Sequence, residues 1–195
     1  MADQYTIRKA EYNDIPAIVT MARANDIRTL LDEMYTDEAE KRGFLISAYG
    51  VRDYERLLYR HPGSLVLEAC GKVVAFLIGQ DERELDLGKM LNIQLFAQGD
   101  RPFAVIKQIC VAPEHMGKGY GRALYQQYIK AVRRDVYAAV VMHPDLSNHA
   151  SVAFHQKLGF EKVFENVGED TLDRWVFRRS WGTIDAVDEG GERDG

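Results

Sequence analysis

Residues 105–124 read VIKQICVAPEHMGKGYGRAL and decide the fold. The stretch opens with an apolar, mostly β-branched run typical of a buried strand, and Pro113 ends it because proline has no backbone donor. Three alternating glycines then lead into residues 122–132, where apolar side chains recur at helical spacing. This pattern predicts a strand, a glycine loop and a helix. Orphan N–H groups and the positive end of the helix dipole would face the space above the loop, where a phosphate is the natural occupant.

The glycine spacing separates this loop from two other nucleotide-binding loops. A Walker loop needs Gly-Lys followed by serine or threonine, whereas Lys118 is followed by glycine. A dinucleotide fingerprint needs G-x-G-x-x-G, whereas Gly117, Gly119 and Gly121 give G-x-G-x-G. The spacing therefore disfavours both a Walker-type nucleotidase and a nicotinamide-dependent oxidoreductase.

The loop resembles the cofactor loop of the GNAT superfamily, the acyl-coenzyme A dependent N-acyltransferases. That signature is V-x-P-x-x-(R or Q)-G-x-G-x-G-x-x-L, and the matching residues are Val111, Pro113, Gly117, Gly119, Gly121 and Leu124. A second block, residues 148–160 (NHASVAFHQKLGF), is similar to the family's later motif of asparagine, a small residue, an aromatic and Lys-Leu-Gly-Phe. Both blocks occur in the family's order, so the resemblance extends over residues 5–181.

The resemblance implies an α/β (α+β) GNAT fold. Its central sheet is mixed, mostly antiparallel and twisted, and helices flank it. Two parallel central strands, expected at residues 103–111 and 136–142, would splay apart and admit the pantetheine arm of the cofactor like an extra strand. We expect one GNAT domain over residues 1–181 and a poorly ordered, acidic, glycine-rich tail over residues 182–195.

Periodicity and turn residues predict the remaining elements. The predicted strands are residues 5–9, 65–69, 73–78, 160–167 and 171–178, the last two joined by a turn at Gly168. The predicted helices are one capped by Asn13 or Asp14, one short helix within residues 23–50, and helices at 51–60, 85–95 and 148–158. Residues 79–100 exceed the simplest form of the fold, and they would either cover the active site or form a dimer surface.

The resemblance implies transfer of an acetyl group from acetyl-coenzyme A to a primary amine of a small molecule, peptide or protein by direct attack. An alternative stays open: an acyl-coenzyme A-binding sensor or interaction module with little or no transferase activity. Gln108 stands where members of the family often carry a glutamate that acts as the general base. Met116 stands where they usually carry arginine or glutamine. These two departures keep the alternative open.

The resemblance also implies a set of cofactor-binding residues drawn from the strand, the loop and the second block. They are Ile109, Cys110, Val111, Met116, Gly117, Lys118, Gly119, Tyr120, Gly121, Arg122, Asn148, Ser151, Phe154 and Lys157. Backbone amides near residues 109–111 would polarise the thioester carbonyl, and the loop amides would hold the phosphates. The lysines and Arg122 either pair with phosphate or are surface charges. Asn148 either binds the pantetheine arm or caps a helix.

Two histidines are the candidate catalytic residues. His155 stands where many members carry a tyrosine that protonates the leaving thiolate, and histidine can donate a proton near neutral pH. The alternative is that His155 only packs against the cofactor or lies on the helix surface. His143, at the end of a predicted strand, is a candidate general base or simply a core or loop histidine. Glu82 and Glu84 are further candidates that would act through water.

Composition limits the partners. The net charge of −5 disfavours a nucleic-acid partner held by backbone phosphates. No apolar run approaches membrane-spanning length, so we expect a cytoplasmic protein with no membrane partner. We assign no metal site, and the resemblance allows a homodimer.

The cysteines and the acidic segment each have a structural interpretation. Cys70 and Cys110 lie in apolar runs where cysteine usually acts as a small core residue. The acidic side chains of residues 32–40 either attract a cationic amine or form a solvated helix face.

Overall fold

The computed structural model describes residues 4–33, 36–46, 49–61, 63–87, 89–98, 101–143, 146–167 and 172–182. The strands in this part of the chain are β1 (Tyr5–Lys9), β2 (Leu65–Ala69), β3 (Lys72–Asp81), β4 (Phe103–Val111), β5 (Asp135–His143), β6 (Leu146–Ser147), β7 (Glu161–Val167) and β8 (Asp173–Arg179). The helices are α1 (Ile15–Ala24), α2 (Ile27–Glu33), α3 (Thr36–Arg42), α4 (Val51–Arg60), α5 (Met90–Ala97), α6 (Tyr120–Val132) and α7 (His149–Lys157). Short 3-10 turns occupy Tyr12–Asp14, Glu82–Glu84 and Pro113–His115.

The strands form one mixed sheet in the order β1-β2-β3-β4-β5-β8-β7, with β6 paired to β5. Only β4 and β5 pair in parallel; the other pairs among the described strands are antiparallel. The predicted fold class is therefore confirmed. The turn at Gly168 and nearly all of the tail lie outside the described residues.

The two central strands separate part of the way along their length. The β4–β5 ladder pairs Phe103–Ile106 with Asp135–Ala138 and then stops. On its other edge, β4 pairs Gln108 with Ile78 and Ile106 with Gly79, so Lys107 is an extra residue in a β-bulge. A bulge bends its strand and increases the local twist. The bulge lies where the ladder ends, which turns β4 away from β5 and produces the expected splay.

Helices cover both faces of the sheet. On one face, α6 and α7 contribute Leu124, Tyr125 and Val152 to the largest apolar cluster. On the other face, α1 and α4 pack on β2–β4, and α5 packs beside them on β4, β5 and β8. None of the helices in the described part of the chain is long and apolar enough to cross a membrane.

Two of the helix predictions differ from the structure. Residues 23–50 contain two helices, α2 and α3, rather than one. The helix predicted at residues 85–95 begins later, at Met90. The reason is local: the Asp81 carboxylate accepts a hydrogen bond from the Arg83 amide and starts a 3-10 turn, after which Leu85 is extended. Helical φ and ψ angles therefore cannot begin at Leu85.

Two smaller predictions also need correction. Asp14 precedes α1, but its carboxylate makes no cap bond; it binds the Arg8 guanidinium and the Glu11 amide instead. Cys70 is not a core residue. It is exposed in the β2–β3 turn at a φ of 52°, followed by Gly71 at 72°. Cys110 is buried, as predicted.

Candidate active site

The splayed strands open a cleft of about 1040 Å³. Its floor is formed by β4 beyond Val105 and by β5 residues 137–141, and the glycine loop lies at one end. The other walls come from α4, from the segment after α3, and from the segment that leads into α5. The predicted insertion at residues 79–100 therefore contributes to the wall of the cleft.

The direction of the β4 amides follows from one hydrogen bond. The Ala112 N–H donates to the Val74 carbonyl across from β3 at 2.8 Å. Because amides alternate between the two edges of a strand, the Cys110 N–H also points to β3, and those of Ile109 and Val111 point to the cleft. Burial raises the pKa of the Cys110 thiol to about 12, so this cysteine is protonated at neutral pH.

Along most of β5 both edges are occupied. β8 pairs with Val136–Val141 on one edge, and β4 pairs with Asp135–Ala138 on the other. β6 pairs with Met142 and His143 at the end of β5, and next to it the Asn148 N–H donates to the Val141 carbonyl at 2.9 Å. Between the end of the parallel ladder and this bond only residues 139–140 remain. An extended ligand in the cleft therefore has a longer backbone edge to pair with along β4 than along β5.

The glycine loop leaves open space above it. Gly117 and Gly119 adopt φ angles of 79° and 83°, in the left-handed region, and a Cβ added to either would meet no atom within 4 Å. The Ala123 N–H donates to the Gly119 carbonyl at 3.0 Å. The N–H groups of Gly121 and Arg122 precede that bond in the first turn of α6, and both residues line the cleft.

Side chains around the loop differ in what they can contribute. Met116 and Arg122 line the cleft, whereas Lys118 and Lys157 are exposed and do not line it. Tyr120 is buried and packs edge-on against Tyr5, so only its backbone is available to a ligand.

Sequence reasoning missed His115, which also lines the cleft. Its Nδ1 atom is buried and has no hydrogen-bond partner among the described residues. The loop signature carries no specified residue at this position, so only the structure reveals it. A buried ring nitrogen without a partner, beside the glycine loop, favours a ligand with a polar group at that point.

The second sequence block places Asn148 at the start of α7. The Asn148 Oδ1 atom accepts a hydrogen bond from the Ser151 N–H at 3.1 Å, and its Nδ2 atom donates to the Phe44 carbonyl at 2.9 Å. Asn148 is therefore a helix cap that also ties α7 to the segment after α3. Phe154, one turn along α7 from Ser151, approaches Gly121: a Cβ added there would lie 3.4 Å from its ring.

His155 is buried on the same helix with 2% of its surface exposed. Its Nδ1–H donates to the Ser151 carbonyl at 2.7 Å, since a carbonyl can only accept. Nε2 therefore accepts from the Tyr125 hydroxyl at 2.8 Å. Burial lowers the pKa of His155 to about 4. The imidazole is thus neutral at neutral pH, and both of its nitrogens are engaged within the protein.

Gln108 is 7% exposed, and its Oε1 atom accepts a hydrogen bond from the Tyr54 hydroxyl at 3.0 Å. Its amide cannot serve as a base. Of the two glutamates named as candidates, Glu82 accepts a hydrogen bond from the Phe103 N–H and so holds the start of β4. Glu84 lines the cleft beside His61. The side chain of His143 lies outside the described residues.

The charged residues that line the cleft are not the acidic residues of the 32–40 segment that the structure describes. Glu40 accepts a hydrogen bond from the Ser147 N–H at 2.5 Å, and Asp37 and Glu38 are exposed. None of these three acids lines the cleft, and the exposure of Asp37 and Glu38 agrees with the solvated-face interpretation. The side chains of Asp32 and Glu33 lie outside the described residues. Lys107, the bulge residue of β4, does line it. Desolvation, followed by the charge of Lys89, lowers the pKa of Lys107, although its side chain still reaches water within the cleft.

The chain belongs to the acetyltransferase (GNAT) family, because the model of that family matches residues 24–160, which is more than half of the chain. The matched region runs from the end of α1 to the start of β7 and includes both sequence blocks.

Comparisons with individual proteins agree with this family. The chain is similar to a mycothiol acetyltransferase from Renibacterium salmoninarum, at 27% identity over 100 residues, but this match covers 51% of the chain and only 30% of that protein. Among solved structures, the ribosomal-protein-S18-alanine N-acetyltransferase from Escherichia coli shares 18% identity at a TM-score of 0.61, covering 91% of this chain and 94% of that one. A putative acetyltransferase from Salmonella typhimurium, solved with acetyl-CoA, shares 21% identity at a TM-score of 0.61, with coverages of 92% and 95%. These structural matches show that the fold is shared.

Proposed function

We propose that this protein transfers an acetyl group from acetyl-coenzyme A to a primary amine of a small molecule, peptide or protein. One observation carries the proposal: the open glycine loop, the start of α6 and the β4 amides of Ile109 and Val111 all border one cleft. Backbone donors for phosphates and for a thioester carbonyl are thereby arranged along a single path. The bound acetyl-CoA in the Salmonella protein of the same fold supports this choice of cofactor.

In this proposal the amides of residues 117–122 bind the pyrophosphate, and the extended pantetheine arm lies along the β4 edge. Met116 supplies no polar group, so the phosphates are bound by backbone amides and the helix dipole. His115 offers its unpartnered Nδ1 atom to a polar group of the cofactor. Lys118 and Lys157 act only at the rim, where they are exposed.

The chemical step is direct attack of the amine on the thioester carbon. Negative charge then develops on the carbonyl oxygen, and one of the cleft-facing amides, that of Ile109 or Val111, donates a hydrogen bond to it. These two amides are about 6.6 Å apart along the strand, so the other one pairs with the pantetheine arm. The carbon–sulfur bond breaks and the thiolate leaves. The neutral, fully hydrogen-bonded state of His155 favours a packing role beside Tyr125 over proton donation to that thiolate.

The sensor alternative keeps one specific observation in its favour. Gln108, which is hydrogen-bonded to Tyr54, occupies the position where the resembled family often carries a glutamate that acts as the general base. A protein that binds acyl-coenzyme A without transferring the acyl group would show ligand binding and no turnover. The acceptor, the oligomeric state and the cytoplasmic location remain predictions.

The first experiment is thermal unfolding with acetyl-coenzyme A, coenzyme A or NAD. A ligand at about 100 times its dissociation constant stabilises the folded state by roughly 2.7 kcal/mol, which raises the midpoint by several degrees. Gly119→Glu should abolish the shift, because it places a carboxylate in the open space above the loop. Gly71→Glu is the matched control: it also has a positive φ and an open Cβ position, but it lies in the β2–β3 turn.

Turnover then separates the enzyme from the sensor. Release of free thiol from acetyl-coenzyme A is measured with phenethylamine, 1,4-diaminobutane and a hexapeptide that has a free amino terminus. Amine-dependent thiol release that Gly119→Glu removes supports the transferase. A thermal shift without turnover for any amine supports the sensor, and a shift with NAD alone overturns the cofactor assignment.

A further inference from the structure

We propose that Glu84, held in place by His61, accepts the proton that the attacking amine must lose. This inference rests on the proposed acetyl transfer and deepens it, since that proposal leaves the proton without an acceptor. The assignment stands on the geometry of α4, the end of β3 and the turn between β3 and α5.

Two residues on one side of α4, Tyr54 and His61, contact Gln108 and Glu84. Tyr54 bonds the Gln108 side chain on β4. His61 follows Tyr54 by two helical turns and so lies on the same side of α4. There its Nδ1 atom is 2.5 Å from Glu84 Oε2. One side of α4 thus contacts both groups: Tyr54 binds Gln108, which cannot act as a base, and His61 binds Glu84.

The pair is asymmetric in burial, which assigns the two roles. The His61 side chain is 2% exposed, whereas the Glu84 side chain is 33% exposed. The His61 Nδ1–H donates to the carboxylate and fixes its orientation. Gln80 Nε2 donates to the Glu84 carbonyl at 2.9 Å, which fixes the backbone of the turn. Glu84 Oε1 has no hydrogen-bond partner within the described chain and is the oxygen available to a ligand or to a water in the cleft.

The other carboxylates that line the described walls of the cleft are less suited to this task. Asp53 binds the Arg56 guanidinium at 2.7 Å and the Gly50 N–H at 3.1 Å, so it is committed to the start of α4. Asp86 interacts with the ammonium group of Lys107. Asp53 is thus committed to contacts within α4, and Asp86 faces the Lys107 ammonium, whereas one oxygen of Glu84 faces the cleft.

The ionisable groups around Glu84 in the described chain are His61, the adjacent Arg83, Tyr128 and Asp81. Arg83 is exposed and interacts electrostatically with Glu84. Tyr128 of α6 lies within electrostatic reach of it. Asp81, on the end of β3, binds the guanidinium groups of Arg83 at 2.8 Å and Arg134 at 2.7 Å. Of these groups, His61 is the one that hydrogen-bonds the Glu84 carboxylate.

The protons balance as follows. The substrate ammonium gives one proton to Glu84 Oε1, directly or through one water, and its freed lone pair forms the nitrogen–carbon bond. The carbon–sulfur bond breaks, and the second nitrogen-bound proton neutralises the thiolate as free coenzyme A. Glu84 then releases its proton to solvent. The net products are the amide, coenzyme A and one proton.

The test compares kcat and KM for the best amine of the panel between pH 6 and 10. Glu84→Gln should lower kcat at pH 7 by about 100-fold, the usual scale of general-base catalysis, and the loss should shrink toward pH 10 as solvent deprotonates the amine. The coenzyme A thermal shift should stay unchanged, which shows that the variant folds and binds. Glu55→Gln, an exposed residue of α4 that does not line the cleft, is the matched control.

The positioning role of His61 has its own readout. Asn at this position keeps an amide donor near the place of Nδ1, so His61→Asn should retain most of kcat, whereas His61→Phe should approach the pH profile of Glu84→Gln. Wild-type kcat and an unchanged pH profile in Glu84→Gln would overturn the assignment and leave the transferase proposal intact. If the unchanged protein acetylates no amine, both proposals fall together.

Discussion

Burial of the His155 ring links this side chain to stability in acid. Its pKa falls from 6.5 to about 4 on folding, so between these pH values the unfolded chain binds a proton that the folded protein does not. The stabilisation is complete above pH 6.5 and is lost as the pH falls toward 4. The same burial keeps the ring neutral beside Tyr125, where a charged imidazole would have no carboxylate to pair with among the contacts that it makes.

We expect His155→Phe to flatten the pH dependence of the free energy of unfolding between pH 7 and pH 4 by on the order of 3 kcal/mol. Phenylalanine fills a similar volume beside Phe177 but cannot bind a proton. Urea unfolding at pH 7, 5.5 and 4 measures the difference from the unchanged protein. His149→Gln, at an exposed position of the same helix, is the control. Parallel pH profiles for the unchanged protein and His155→Phe would refute the prediction.

Among the elements, the contact between β3 and α6 depends on a missing side chain. A Cβ at Gly79 would lie 2.1 Å from Cε2 of Tyr128 and 2.5 Å from its hydroxyl oxygen. Neither atom belongs to a flexible chain end, because the ring is buried. The glycine therefore sets how closely α6 approaches the sheet, and with it the position of the glycine loop at the start of that helix.

Gly79→Ala should lower the free energy of unfolding by about 1–3 kcal/mol, the usual cost of overpacking a core. The measurement is urea unfolding within a double-mutant cycle with Tyr128→Leu, which removes the ring atoms that the new methyl group would meet. In the Tyr128→Leu background the same alanine should cost much less. Equal costs in the two backgrounds would show that the ring is not the cause.

The cap of α7 offers a second test, because Asn148 does two separable things. Serine keeps an oxygen that can cap the Ser151 N–H but lacks the amide donor that reaches the Phe44 carbonyl. Asn148→Ser should therefore cost about 1 kcal/mol through the lost bond, and Asn148→Ala about 1 kcal/mol more through the lost cap. Urea unfolding gives both values. Coenzyme A affinity should be the same in the serine variant; a loss there would instead indicate contact with the pantetheine arm.

Elements with local signals were predictable from the sequence. The apolar run, Pro113 and the alternating glycines specify β4, the loop and α6 without reference to distant residues, and the ends of β4 and α4 agree with the structure. Contacts between distant residues carry no such signal. Tyr54 and Gln108 are 54 positions apart, and His61 and Glu84 are 23 apart, so no periodicity reports either pair. The site's ionisable pair was therefore visible only in the fold.

At the scale of the whole molecule, the sheet consists of two antiparallel halves joined by a short seam of four residue pairs. β1–β4 form one antiparallel unit and β5–β8 another, and the seam between them is the short parallel ladder of Phe103–Ile106 with Asp135–Ala138. Beyond that ladder the cleft replaces backbone pairing. A cofactor that lies along β4 would supply hydrogen-bond partners there, so binding should stiffen the seam more than any other part of the sheet.

We therefore expect coenzyme A to slow hydrogen exchange mainly in peptides that contain residues 107–111 and 117–122. The amides of Ile109, Val111, Gly121 and Arg122 border the cleft, and a bound ligand would accept hydrogen bonds from them or shield them from water. The β2–β3 hairpin, Leu65–Asp81, serves as the internal control because its ladder is complete without a ligand. Mass spectrometry of exchange with and without coenzyme A gives the comparison, with Gly119→Glu as the non-binding reference. Protection spread evenly over both half-sheets would mean that the ligand stabilises the whole fold without pairing with β4, and protection confined to the glycine loop would place the pantetheine arm outside the cleft.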